Sequence, residues 1–144
     1  MIEQDTIKLL RECDAGVKMG ISSIGDVMKY VDDEELRSLL SRCRDEHSKL
    51  ENELCELLNE YHDEGKAPNP IAKGMSWIKT NAKLVMHESD RTVADLITDG
   101  CNMGVKSLSG YLNRYPAAEE RAKDIAKRLI HLEEQLAIDI RGYL

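Results

Sequence analysis

Cys13-Asp14-Ala15-Gly16-Val17-Lys18 recurs 88 residues later as Cys101-Asn102-Met103-Gly104-Val105-Lys106. Cysteine, glycine, valine and lysine are common to both copies, and the apolar surroundings repeat with them: Leu9 answers to Ile97 and Ile24 to Leu112. Each copy leads through a short break into a second helical pattern, over 33–62 in the first half and 116–144 in the second. The chain reads as two related helical hairpins.

Working outward, the first segment, about 3–31, keeps Ile7, Leu10, Val17, Ile21, Ile24 and Met28 on one helical face. Tyr30-Val31-Asp32-Asp33 breaks it, and Asp32 with Glu35 has the spacing of a capping box. The second segment repeats Leu36, Leu40, Cys43, His47, Leu50, Leu54 and Leu57 in alternating steps of four and three, a continuous seam. Pro116 suits a first helical turn, where its missing N–H would lack a partner anyway, and so opens the fourth segment. Ala122, Ile125, Leu129, Leu132, Leu136, Ile140 and Tyr143 form the fourth seam.

Between the hairpins, His62-Asp63-Glu64-Gly65-Lys66-Ala67-Pro68-Asn69-Pro70 is a helix stop and linker. Trp77, Ile78, Ala82, Val85, Val93 and Leu96 then keep a helical rhythm, but 63–90 has no counterpart in the first half. A helix of about 29 residues is roughly 44 Å long. A connection of this size lets the chain return along the whole bundle before the second hairpin begins, the two hairpins being related by a twofold axis along the bundle. The expected fold is all-α: one four-helix-bundle domain over 1–144, with hairpin 3–62, connection 63–90 and hairpin 91–144.

Composition supports a globular helical domain. Charged residues make up 33% and hydrophobic ones 42%; with no Phe and one Trp, the core must be aliphatic. The net charge of −7, with acids and bases interspersed, argues against a nucleic-acid surface, which needs clustered cations to neutralise phosphates. No apolar run approaches the ~20 residues of a membrane span, and the N-terminus lacks a basic stretch followed by an apolar one. A cytoplasmic protein is expected, with no membrane partner. Cys13, Cys43, Cys55 and Cys101 show no CxxC spacing and read as buried free thiols.

Three features interrupt the apolar faces. Asp14 falls on the first seam between Leu10 and Val17; unpartnered there it would cost on the order of several kcal/mol, so it needs a donor, a metal or solvent. The plainer reading is a hydrogen bond to a neighbouring element. His47 sits on the second seam one turn after Cys43, so the two could share an ion. Asp14, Cys43 and His47, completed by Cys13 or Cys101, are the candidate metal ligands, for iron, manganese or zinc. A hydrogen-bonded core histidine and a buried thiol are the simpler alternative, and no cofactor is then required. Gly16, Gly20, Gly100 and Gly104 lie inside helices at about 1 kcal/mol each relative to Ala. Close approach of two helices is the main reading of them, a widened pocket the minor one.

Two hairpins joined by a long connection resemble the ferritin-like superfamily, in particular its small bacterial four-helix bundles with an Asp-Gly-type stretch like Asp14-Ala15-Gly16. Active members hold two metal ions with one Glu from each of two helices and a Glu-x-x-His pair from each of the others. Here Arg44, Asn59, Leu84 and Arg128 stand three residues before His47, His62, His87 and His131, and Asn102 replaces the carboxylate at Asp14's partner position. The resemblance therefore implies a bundle without the usual di-metal site, and none of the ferritin chemistry carries over. The resulting expectation is a binding or structural module rather than an enzyme, with an unidentified small-molecule ligand and self-association through apolar surface at Met75, Trp77, Met86 and Met103. The alternative is a metal-binding, redox-active protein using the non-ferritin ligand set.

Overall fold

A computed structural model of the chain describes residues 2–66 and 89–144. Among these, four α-helices form a bundle: α1 (Ile2–Met28), α2 (Glu34–Glu60), α3 (Asp90–Arg114) and α4 (Glu120–Asp139), with a closing 3-10 turn at Arg141–Tyr143. The described residues contain no strand.

Local chemistry sets the helix boundaries. The α2 cap is Asp33 and not Asp32: its carboxylate accepts from the Leu36 N–H at 2.9 Å. The shift has a cause in the next hairpin, because the Asp90 carboxylate accepts from both the Asp32 and Asp33 N–H groups (2.8 and 3.1 Å) and holds the turn. Helix α4 starts four residues after Pro116. The intervening donors are taken elsewhere, Ala117 N–H by the Asp5 carboxylate (3.2 Å) and Glu119 N–H by Thr6 Oγ1 (2.8 Å). Helix α2 stops as expected near His62, which adopts a left-handed φ of 56° while the Asp63 N–H returns to the Leu58 carbonyl.

These contacts also fix helix directions. The ends of α1 and α2 nearest Thr6 and Tyr61 meet the start of α4, where the Tyr61 hydroxyl donates to Glu119. The start of α3 and the closing turn meet the α1–α2 corner, through Asp90 and through the Tyr143 hydroxyl, which donates to Asp33 at 3.0 Å. So α1 and α4 run one way and α2 and α3 the other. Helix α3 begins at the opposite end of the bundle from where α2 finishes. The helix directions are not those of hairpins related by a twofold along the bundle: that arrangement would start α3 beside the end of α2, whereas α1 and α3 run antiparallel. The rhythm over 77–85 and the apolar surface expected at Met75, Trp77 and Met86 fall outside the described residues.

Every seam position read in α2 is buried. In α4 and at its C-cap, the buried Ala122, Ala126, Leu129, Glu133, Leu136 and Ile140 match Leu36, Leu40, Cys43, His47, Leu50 and Leu54 at the spacing of 86 that separates His47 from Glu133. In α3 the buried Val93, Ala94, Ile97, Cys101 and Leu108 repeat Leu9, Leu10, Cys13, Val17 and Ile24 at a spacing of 84. The six-residue echo, at 88, is thus about one turn out of register with burial. Asp14 is 1% exposed while Asn102 lies on the surface, so the two are not spatial counterparts.

The chain leaving α2 is tied down to α1. Arg11 Nε donates to both Asp63 carboxylate oxygens (3.0 and 3.1 Å), Lys66 Nζ pairs with Glu12 at 2.7 Å, and Lys66 N–H donates to Asp14 Oδ2 at 3.0 Å. Gly65, at φ +83°, fits beneath Asp14, where a Cβ would collide with Oδ2. Gly65→Ala is expected to cost about 1–3 kcal/mol, from both the φ and the collision. A urea midpoint equal to that of the unaltered protein would show that Asp14 does not hold this turn.

Candidate functional site

The apolar core is built as two clusters. One, around Val27, Leu36, Leu40, Leu96 and Ile140, fills the end at the α1–α2 corner; the other, around Leu9, Leu10, Leu54, Ala122 and Leu129, fills the opposite end. The buried polar side chains His47 and Glu133 belong to neither. They meet across the middle of the bundle, His47 Nε2 lying 3.4 Å from Glu133 Oε1.

The other ring nitrogen defines the protonation state of the pair. His47 Nδ1 lies 2.8 Å from the Cys43 carbonyl oxygen, an acceptor only, so Nδ1 carries a proton and donates it. Nε2 faces a carboxylate, and a second lone pair there would be repulsive. One proton must therefore lie between Nε2 and Glu133, and the imidazolium–carboxylate form satisfies both ring nitrogens. Burial opposes the charge on His47, yet its contacts with Cys43 and Glu133 outweigh that and push its pKa up to about 10. The Cys43 thiol touches the same ring, with Sγ 3.6 Å from Nδ1.

Two glycines make room for this pair. A Cβ on Gly20 would come within 2.7 Å of the His47 ring, and one on Gly104 within 3.3 Å of the Glu133 carboxyl. A Cβ on Gly16 would meet only the Leu129 and Leu108 side chains, and one on Gly100 nothing within 4 Å. At none of the four is the nearest atom a backbone atom of the facing helix, so these glycines are not points of direct α1–α3 backbone contact. The glycines admit side chains from α2 and α4, and the space left between α1 and α3 is a cavity of about 340 Å³. Its walls are mainly apolar (Met19, Ile24, Leu96, Ile97, Leu108, Leu136), with His47 and Glu133 at its centre and Glu12, Lys66 and Tyr111 at one end.

The candidate residues from the sequence divide between two places. Cys43 and His47 stand together as their spacing implied. Asp14 lies six residues before Gly20 on α1 and is engaged toward the end of α2: its Oδ2 accepts from Lys18 Nζ at 2.8 Å and from the Lys66 N–H, while Oδ1 has no partner among the described residues. The described residues hold no group of three or more His, Cys, Asp or Glu disposed to share a metal ion. Cys13, Cys43 and Cys101 are buried free thiols, but Cys55 is exposed, contrary to expectation. Burial and then the neighbouring Glu133 carboxylate push the Cys101 thiol far up, and burial pushes Cys13 up to about 12. Both stay protonated at neutral pH and are poor nucleophiles. Glu133 went unread in the sequence because Leu132 was placed on the seam; stepping α2's own spacing onto α4 would have found it.

No family model, curated protein or solved structure matches the chain.

His47 has a raised pKa in the folded protein, so its contribution to stability is complete below the unfolded value of about 6.5 and is lost as pH climbs through the folded value of about 10. The His47 ring signals are expected not to titrate between pH 5 and 8 by NMR. Urea unfolding between pH 6.5 and 9.5 should lose more stability in the unaltered protein than in His47→Leu/Glu133→Leu. A ring that titrates near pH 6.5 would exclude the shared proton.

Proposed function

We propose that this chain is a binding module: a ferritin-like four-helix bundle without a di-metal centre that holds a small ligand in the α1–α3 cavity, over the His47–Glu133 pair. The observation that carries this reading is the cavity itself, whose volume of about 340 Å³ lies in the ~300–1,000 Å³ range of ligand pockets and whose apolar walls surround a few convergent polar groups. A helix pair that had only to pack would close this space with alanine or larger side chains, which also favour the helix by about 1 kcal/mol over glycine.

Support for the ferritin-like part comes from topology, since bundles of that kind have one long crossover, between parallel helices. An internal duplication is supported by the burial spacings of 84 and 86. Around the mid-plane the four helices contribute Gly20, His47, Gly104 and Glu133, so two helices offer no ligating side chain where a di-metal centre needs a carboxylate. The metal-binding alternative through Asp14, Cys43 and His47 has less behind it, because Asp14 is engaged with Lys18 and the Lys66 backbone.

Two measurements test the reading. N-phenyl-1-naphthylamine, an uncharged apolar fluorophore, is expected to bind with enhanced emission. Gly100→Leu should weaken that binding by about tenfold or more while keeping the helices, because the new side chain grows into open cavity and Leu is the better helix former. Equal binding by both proteins would exclude the cavity as the site. Protein purified without a metal-chelating tag is expected to contain no stoichiometric iron, manganese or zinc. Stoichiometric metal that disappears in His47→Ala would favour the metal-binding alternative.

A further inference from the structure

The cavity's shape and polarity restrict what it can hold. Its lining runs on α1 from Glu12 to Ile24, about 18 Å of helix at 1.5 Å per residue. The cavity volume of about 340 Å³ is drawn out along that length. Such a slot suits an elongated molecule lying along the helices.

Charge is restricted as well. The cavity's ionic groups already neutralise one another, Lys66 with Glu12 at 2.7 Å and His47 with Glu133 at 3.4 Å. A charged group placed at the centre of the slot would have to break the His47–Glu133 pair or lie buried without a partner, and the second costs several kcal/mol on any scale. An uncharged ligand has neither cost.

The centre of the slot selects for one further feature. A charge-assisted N–H···O bond closes at about 2.7–2.9 Å, whereas the one between His47 and Glu133 is long, at 3.4 Å. His47 Nε2–H is a donor and Glu133 an acceptor, side by side at the cavity surface. A hydroxyl group, which accepts from one and donates to the other, satisfies both. A carbonyl satisfies only the donor, and a methylene neither. Apolar wall extends to both sides, with Ile24 and Leu96 on one and Leu108 on the other.

Resting on the reading of the cavity as a binding site, we infer that its ligand belongs to the class of uncharged, chain-like aliphatic alcohols, with a hydroxyl within the chain held between His47 and Glu133. The ligand's two apolar arms lie along α1 and α3, and the site discriminates by hydrogen-bond complementarity at one position.

Displacement of N-phenyl-1-naphthylamine by four compounds of equal chain length tests this: nonan-5-ol, nonan-5-one, nonane and nonanoate. Nonan-5-ol is expected to displace at concentrations about tenfold below the other three, the worth of one buried polar group left unpaired. In His47→Leu/Glu133→Leu, with helicity checked by circular dichroism, the preference of alcohol over alkane should fall to about one. Nonanoate or nonan-5-one displacing as well as nonan-5-ol overturns the inference in the unaltered protein, whatever the variant does. So does an alcohol preference that survives in the folded double variant. If the fluorophore binds and the alcohol preference is missing, only the ligand class fails; if the fluorophore does not bind the unaltered protein, the binding site fails with it.

Discussion

One proton shared between His47 and Glu133, in the middle of a bundle otherwise filled with aliphatic side chains, governs how the rest is arranged. A buried imidazolium and carboxylate stabilise the fold only as a pair. Removing either leaves a stranded charge at a cost of about 3–5 kcal/mol, whereas replacing both with apolar groups is often neutral or better. The pair therefore contributes little as a source of stability, and its neighbours adapt to it. The Cys43 carbonyl fixes the ring's orientation. Gly20 and Gly104 give up side chains so that ring and carboxylate can fit. The aliphatic core is split into one cluster at each end.

The ends carry the complementary task of fixing direction. Asp90 ties the start of α3 to the α1–α2 corner, and Thr6 with Asp5 ties the start of α4 to that of α1. Each of these bonds satisfies backbone N–H groups at a helix entrance with a side chain from the other hairpin, which couples local capping to overall topology. An arrangement with α3 parallel to α1 would leave those donors without these partners.

How much of this was legible in the sequence differs from helix to helix. Helix α2 could be read residue by residue, since a seam of Leu36, Leu40, Cys43, His47, Leu50, Leu54 and Leu57 buried on one side admits one register. The turn residues Asp32 and Asp33 located a cap to within one position, and only the Asp90 contact, 57 residues away, decides which Asp caps. Glu133 escaped notice because a charged residue next to Leu132 reads as surface until its partner on α2 is known. Asp14 was legible as a polar residue on a buried face, but its partners lie in the chain leaving α2, where composition gives no orientation. The glycines were read as contact points because small residues let helices approach. What Gly20 approaches is a ring from a third helix, and sequence spacing on α1 and α3 carries no trace of that.

The burial pattern gives the central pair a further meaning. His47 and Glu133 lie 86 residues apart, at matching places in the buried patterns of α2 and α4, and they touch each other. In a dimer of identical hairpins, a residue on the twofold meets its own copy. Acid would then face acid, or base would face base, and neither could share a proton this way. A single chain whose halves differ in sequence can set a base against an acid at that point. Covalent linkage of the hairpins thus does more than hold them together: it permits a difference between them, at the one place where symmetry would forbid complementarity.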